Sequence, residues 1–158
     1  MKDDFLTLKN ANHGYDLWIT GHSLGAAMAS LAATTIATNK LFPANKIKLV
    51  TFGQPRVGDV SYANLVDSII PHSYRIIHQN DVVPSSPPEW LFGYHHHKSE
   101  IWFNNDMTSG QKYIECDEDE SQKCSDGAFN MDMIEHLWYY NVLANFATDG
   151  CQGWNIHK

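Results

Sequence analysis

The apolar residues of the chain fall into short runs separated by polar turns. Three of these runs are typical of buried strands, namely Tyr15–Thr20, Ile47–Phe52 and Tyr74–His78. Two longer segments between them have helical character, the Ala- and Leu-rich Leu24–Thr38 and the more polar Val60–Ile70. Strands that alternate with helices in this way predict an α/β architecture with a mainly parallel sheet flanked by helices.

The second half of the chain is less regular. A Pro-rich loop follows the third strand, and two weaker extended segments, Ser99–Phe103 and Gln111–Cys116, predict a hairpin. Residues Met131–Phe146 have the apolar spacing of a final amphipathic helix. The sequence contains no internal repeat and no linker-like segment, so we interpret residues 1–158 as a single domain.

Composition narrows the classes of function. With 158 residues, of which 43% are hydrophobic, the chain can bury the core of one domain, and this excludes a disordered tail. The formal net charge is −7, and the acidic side chains are concentrated between residues 115 and 126. The sequence has no basic patch of the kind that nucleic-acid binding requires, and we therefore exclude that function.

One stretch of the sequence has the length of a membrane span. Residues 17–39 include no Asp, Glu, Lys or Arg. They do include His22, two glycines and several hydroxyl side chains, and their hydrophobic period changes midway. We therefore interpret the stretch as a buried strand, a turn and a helix, and expect no transmembrane segment. Residues 1–5 carry charges of both signs with no apolar run behind them, so we expect no secretory signal there.

The three cysteines are too few for a disulfide-held scaffold. Cys116 and Cys124 flank the acidic stretch, and their spacing predicts a small loop closed by a disulfide. Cys151 is then either a free thiol or bonded to a cysteine outside this chain. The alternative is a cytosolic protein with three reduced cysteines.

A possible nucleophile lies between the first strand and the first helix. Gly21-His22-Ser23-Leu24-Gly25 has the pattern G-x-S-x-G, which in this context is typical of a nucleophile elbow. Ser23 would occupy a strained turn that the flanking glycines make sterically possible. The Leu24 backbone N–H, at the positive end of the helix, could then stabilise an oxyanion. The alternative is an ordinary β–α turn in which Ser23 caps the helix.

A catalytic serine needs a base and an acid that orients it. Asp81 is the best acid, because it directly follows a buried strand in a loop held by prolines, and His136 is the best base, because it follows Asp81 in chain order among apolar residues. Alternatively, Asp81 only forms a turn and His136 lies at the edge of the core. The weaker acids and the other possible bases are Asp59, Asp67, Asp106, His95, His96, His97 and His157.

We expect no metal site. The adjacent His95, His96 and His97 cannot all face one ion from a strand or helix, so we interpret them as a loop beside a substrate groove or as a source of adventitious metal affinity. The acidic run 117–120 lacks the glycine and the closing glutamate of a calcium-binding loop, and we interpret it as a solvated loop.

Several blocks of the sequence together resemble the fungal-type class 3 lipases. The blocks keep their order along the chain and comprise Gly21–Ala27, Thr51–Asp59, His78–Pro84, Phe92–His95, Glu100–Trp102 and Glu135–Tyr140. The resemblance implies an α/β-hydrolase fold in which Ser23 is the nucleophile, Asp81 the acid and His136 the base, with the Leu24 amide as an oxyanion donor. It also implies carboxylic ester substrates, mostly acylglycerols at a lipid–water interface, and no cofactor.

The resemblance implies further parts of the protein as well. Members of the family have a long segment before the elbow, with the lid and a second oxyanion donor, whereas only twenty residues precede Gly21 here. We therefore interpret residues 1–158 as the C-terminal part of such a domain, with Cys151 pairing to a cysteine near the mature N-terminus. The resemblance favours secretion over the cytoplasmic alternative.

Two other hypotheses remain open at this stage. One is a catalytically impaired module that binds lipid or a partner, and the other is an esterase or thioesterase outside the lipase family.

Overall fold

The computed structural model describes residues 2–128 and 130–144. The helices and strands follow in this order: α1 (Lys2–Ala11), β1 (Leu17–His22), α2 (Leu24–Thr38), β2 (Ile47–Phe52), β3 (Gly58–Asp59), α3 (Val60–Ile69), β4 (Ser73–His78), β5 (Tyr94–His95), β6 (Glu100–Phe103), β7 (Ile114–Cys116), α4 (Met133–Leu137), β8 (Trp138–Tyr139) and β9 (Val142–Leu143). Short 3₁₀ helices are present at Ala44–Lys46, Val83–Ser85 and Ser125–Gly127.

Five of these strands form the central sheet, in the spatial order β1-β2-β4-β6-β7. The first four are parallel and β7 is antiparallel to β6, which confirms the predicted α/β architecture and the hairpin pairing. The register places His22 opposite Phe52 and Phe52 opposite Ile76. The loops that follow β1, β2 and β4 therefore leave the sheet side by side, at its carboxyl edge.

The first core lies between this sheet and the helices α2 and α3. Its buried residues are Ala29, Ala33, Ile47, Leu49, Val66 and Ile70. The alanines of α2 have small side chains, so the helix can lie close to β1 and β2. The two helices also meet through polar groups, since the Ser30 and Tyr62 hydroxyl oxygens are 2.8 Å apart. This packing fixes the start of α2, directly after the elbow.

The uncharged run 17–39 is divided at Ser23 into β1 and α2, as predicted. Among the residues that the structure describes, no helix has both the length and the hydrophobicity needed to cross a bilayer. The helix α1 was not predicted from the sequence. None of its residues is buried. A helix with no buried face lacks the apolar periodicity by which a sequence predicts a helix.

The prediction of a helix over Met131–Phe146 was wrong within the described residues. The helix α4 begins at Met133 and ends at Leu137, and the chain then forms the β8–β9 hairpin. Tyr140 and Asn141 have φ angles of 52° and 60° at its turn. Tyr139 is thereby buried against Phe103 and Met107, so tertiary packing overrides the helical period. Residues 145 and 146 lie outside the described residues.

The interpretation of the acidic run as a solvated loop was wrong at Glu120. Cys116 and Cys124 form a disulfide bond, and this closed loop directs Glu120 inward. Both Glu120 carboxylate oxygens accept hydrogen bonds from the Arg56 guanidinium, at 2.9 and 2.8 Å. Cys151 lies outside the described residues.

The interpretation of the three histidines as a loop beside a substrate groove was also wrong. His95 belongs to β5, and His96 and His97 are buried. His97 lies next to the fully buried Arg75, whose Nε donates to the His97 carbonyl at 2.8 Å. His96 Nε2 is 2.8 Å from the Pro84 carbonyl oxygen. These side chains are therefore part of the polar interior.

Candidate active site

Ser23 occupies a strained backbone conformation at the carboxyl end of β1. Its φ and ψ are 58° and −131°, and its N–H donates to the Phe52 carbonyl at 3.0 Å. A Cβ at Gly21 would overlap the Gly25 carbonyl, whereas a Cβ at Gly25 would meet no atom within 4 Å. Of the two glycines that flank the serine, Gly21 is therefore the one that the tight turn requires.

Helix capping does not account for Ser23. Although it is the N-cap residue of α2, its side chain makes no capping hydrogen bond. The backbone N–H groups of the first turn, including that of Leu24, therefore retain the partial positive charge of a helix N-terminus. The Leu24 side chain itself is 71% exposed, so this end of α2 is open to an approaching molecule.

Asp81 is held by hydrogen bonds on both carboxylate oxygens. Its Oδ1 accepts from the Val83 N–H at 2.9 Å. Its Oδ2 accepts from the Tyr139 hydroxyl at 2.7 Å and lies 2.8 Å from His136 Nδ1. With only 2% of its surface exposed, the carboxylate has a fixed orientation.

His136 faces Asp81 with one ring nitrogen and has the other nitrogen available. Since the carboxylate accepts hydrogen bonds, Nδ1 carries the proton in the neutral ring. Nε2 is buried and has no hydrogen-bond partner among the described residues. This is the protonation pattern that a general base requires, with an oriented donor on one side and a free lone pair on the other.

The segment that carries His136 is attached to the loop that carries Asp81. The Asp132 N–H donates to the Asn80 carbonyl at 2.8 Å, and Asp81 and Asp132 form an isolated parallel bridge. The Asp132 side chain accepts from the Ile134 N–H and so caps α4. These contacts place a short helix, and with it His136, directly beside Asp81.

Sequence reasoning missed two residues of this arrangement, Gly53 and Tyr139. Gly53 has a φ of +52°, and a Cβ on it would lie 2.7 Å from Asp81 Oδ2 and 2.9 Å from His136 Nδ1. Burial, together with the Asp81 carboxylate, raises the pKa of the Tyr139 hydroxyl well above its usual value, so it remains a donor. For Gly53 a signal was available, because it directly follows a buried strand.

The other acids proposed from the sequence have different partners. The Asp59 side chain accepts from the Tyr62 N–H and caps α3. Asp67 accepts from the Lys98 N–H, and Asp106 from the Thr108 N–H. None of these three contacts His136 in the described part of the chain, and His157 lies outside it.

Three carboxylates approach one another closely enough to bind a metal ion, namely those of Glu89, Glu120 and Asp126. The Arg56 guanidinium lies among them, with its NH2 nitrogen 3.6, 2.8 and 3.4 Å from their oxygens. The arginine cation therefore already supplies the compensating charge in this cluster.

The fold and the site together define a class of protein. A strained serine links a parallel strand to a helix, and an aspartate and a histidine follow it in chain order at the same edge of the sheet. This combination of parallel sheet, elbow and order of residues is that of an α/β-hydrolase.

Comparison with known proteins identifies the family. Residues 1–90 match the family described as Lipase (class 3). A Caenorhabditis elegans lipase is 35% identical, over 87% of this chain and 48% of that protein. A secreted mono- and diacylglycerol lipase of Fusarium solani is 35% identical, over 88% of this chain and 41% of its own length. The solved structure of a triacylglycerol lipase, described as having a serine protease triad at its catalytic centre, superimposes with a TM-score of 0.82 at 31% identity, over 90% of this chain and 54% of that one.

The chain therefore belongs to the class 3 lipase family. It spans about half the length, or less, of the curated relatives it matches.

Proposed function

We propose that this chain is a serine hydrolase that cleaves carboxylic esters, with Ser23 as nucleophile, His136 as base and Asp81 as the acid that orients it. One observation carries the proposal. A buried histidine directs Nδ1 at a buried carboxylate and has no partner on Nε2 among the described residues, in a fold that also holds Ser23 in a strained elbow. Family membership supports the same assignment.

The proposed reaction uses these three residues in turn. His136 Nε2 removes the Ser23 hydroxyl proton as the oxygen attacks the ester carbonyl, and Asp81 stabilises the imidazolium that forms. The Leu24 N–H, at the positive end of α2, donates to the developing oxyanion. His136 then protonates the departing alcohol. Water, activated by the same histidine, hydrolyses the acyl-enzyme and restores Ser23.

The substrates we propose are lipid esters, most notably acylglycerols, taken at a lipid–water interface. The names of the relatives support this class. The surface near the base also supports it, because Ile134 on α4 and Leu24 on α2 expose 61% and 71% of their surface. We further propose an extracellular location, which the disulfide bond and the secreted relative support.

A fluorophosphonate probe, which labels activated serines, tests the proposed nucleophile. We expect the purified chain to be labelled on Ser23 and to hydrolyse a glycerol ester. Ser23→Ala should abolish both activities without unfolding the chain. Ser61→Ala, at an exposed serine of α3, is the matched control and should behave as the wild type.

Two results would contradict the proposal. Undiminished ester hydrolysis in Ser23→Ala would show that another group is the nucleophile. A folded chain that resists the probe yet binds phospholipid vesicles would instead indicate a non-catalytic lipid-binding module. A preference for thioesters over glycerol esters would overturn the substrate class alone.

A further inference from the structure

His22, the residue before the nucleophile, has no role in the reaction described above, yet it contacts the base. Its Nε2 lies 2.8 Å from the His136 carbonyl oxygen. A carbonyl can only accept a hydrogen bond, so Nε2 of His22 carries the proton and donates it. This bond joins the end of β1 to the segment that contains the base, across a sequence separation of 114 residues.

The His22 ring makes a second contact with the base. The His22 and His136 rings are stacked, with centroids 4.5 Å apart and planes inclined by 27°. On another side, the Tyr139 ring meets His22 edge-on at 5.4 Å. One side chain therefore contacts both the backbone of His136 and the face of its ring.

We infer that His22 is a positioning residue for the base, which fixes His136 relative to Ser23 through the hydrogen bond to its carbonyl and the stacked ring. The inference rests on the proposed function, because it assigns His136 the role of base. It adds a reason for a histidine at this position of the elbow, where the G-x-S-x-G pattern accepts any residue.

The electrostatic setting is consistent with a neutral His22. Burial lowers the pKa of its imidazole, and the nearby His136 ring acts in the same direction. The hydrogen bond to the His136 carbonyl and the Asp81 charge act against this, but the net pKa is still lowered. The titratable groups that face His22 are those of His136, Asp81 and Tyr139. The neutral form of His22 matters because a positive charge there would oppose the protonation of His136 during the reaction.

Two substitutions separate the hydrogen bond from the ring. His22→Phe keeps an aromatic ring against His136 but removes the donor. His22→Gln keeps an N–H donor at similar reach but removes the ring. His13→Phe is the control, because His13 is an exposed histidine in the turn after α1.

The first measurement is the NMR signal of the proton between His136 Nδ1 and Asp81, recorded on the purified chain. It does not depend on turnover, so it tests His22 even if the proposed function fails. We expect a well-defined signal in the wild type, in His22→Gln and in His13→Phe. In His22→Phe, where the backbone of the base is released, the signal should broaden or disappear while the circular dichroism spectrum stays unchanged.

The second measurement is the steady-state hydrolysis of a soluble ester. A small displacement of a catalytic group can reduce the rate up to about a hundredfold. We therefore expect His22→Phe to lower kcat by about tenfold to a hundredfold with KM little changed, and His22→Gln to recover most of that loss. If the Phe and Gln variants both match the wild type, or if both lose activity equally, the positioning role is wrong. If activity does not depend on Ser23 either, the failure belongs to the proposed function.

Discussion

At the scale of single residues, the Asp81 carboxylate shows how the site is kept rigid. It receives hydrogen bonds from a backbone amide, a tyrosine hydroxyl and the His136 imidazole, so it cannot rotate without losing at least one of them. The Tyr139 ring lies among the rings of His22, Phe52 and His78, which fix the direction of its hydroxyl. Two of the three groups that orient the Asp81 carboxylate, the Val83 amide and the Tyr139 hydroxyl, therefore lie outside the proposed triad.

A substitution at Gly53 tests whether this rigidity matters. An alanine at this position would force its Cβ to within 2.7 Å of Asp81 Oδ2 and 2.9 Å of His136 Nδ1. We expect Gly53→Ala to separate the acid from the base and to reduce kcat/KM by at least about a hundredfold. The strained φ of +52° should also lower the free energy of unfolding by about 1 kcal/mol or more.

Gly110→Ala is the matched control for this prediction. Gly110 also has a positive φ, +87°, but a Cβ there meets no atom within 4 Å. It should therefore carry a similar conformational cost and leave ester hydrolysis unchanged. If the two variants keep the same activity, steric displacement of the acid and base does not occur.

At the scale of elements, Arg56 connects two loops that support the site. Its NH1 donates to the Ser85 and Pro87 carbonyls at 2.8 and 3.1 Å, in the loop that follows Asp81. Its Nε and NH2 bind Glu120 in the disulfide-closed loop. Although burial raises the pKa of Glu120, the Arg56 hydrogen bonds and charge outweigh this, and the net pKa is lowered. The pair is therefore ionised and largely removed from water.

Replacement of one member of such a pair leaves the other charge buried without compensation. We expect Arg56→Met to lower the free energy of unfolding by about 3–5 kcal/mol. The double variant Arg56→Met/Glu120→Met should lose less, because it removes both charges. Urea unfolding of the three proteins measures the difference.

Lys123→Met serves as the control, because the Lys123 side chain is 82% exposed in its contact with Glu118 and should leave stability unchanged. If the double variant is less stable than Arg56→Met, the uncompensated charge of Glu120 is not what destabilises the single variant.

The success of the sequence predictions depended on how far apart the interacting residues are. The five strands of the central sheet and the helices α2 and α3 follow local apolar patterns and were predicted from them. The pairing of Arg56 with Glu120 joins residues 64 apart in the sequence and has no local signal. The steric requirement for Gly53 arises where three segments meet. The helix predicted over 131–146 failed because burial of Tyr139 outweighs the local period.

At the scale of the whole molecule, a polar interior lies beneath the sheet edge. The His97 carbonyl oxygen accepts a hydrogen bond from Arg75 Nε at 2.8 Å, and His97 Nε2 lies 3.2 Å from the Gln54 amide nitrogen. Burial, together with the Arg75 charge, lowers the pKa of His97 to about 3. Burial and the charges of Arg75 and Arg56 also hold the pKa of His96 well below its usual value. These lowered pKa values favour the neutral form of both histidines in the folded protein at neutral pH.

This interior makes stability depend on pH. In the unfolded chain these histidines titrate near pH 6.5, so below that value the unfolded state binds more protons than the folded state. The contribution of the two neutral histidines to stability is therefore fully present above pH 6.5 and is lost as the pH falls toward 3. Each histidine lowers the free energy of unfolding by up to about 1.4 kcal/mol per pH unit in that range.

Urea unfolding between pH 7.5 and 5 measures this dependence. His97→Gln should lower the slope of stability against pH by about one proton's contribution, whereas His13→Gln, at an exposed histidine, should not. An unchanged slope in His97→Gln would show that His97 does not exclude a proton when it is buried.

Segment 130–144, which carries His136, contacts the rest of the molecule through the core residues Phe103 and Met107 and through hydrogen bonds near the proposed site. Within the described residues, its hydrogen bonds to other segments reach His22 and residues 78–85. A local opening of this segment would remove His136 while the sheet, α2 and Ser23 stay folded. We expect a molecule that contacts both Ser23 and His136 to stabilise segment 130–144 against such opening by mass action.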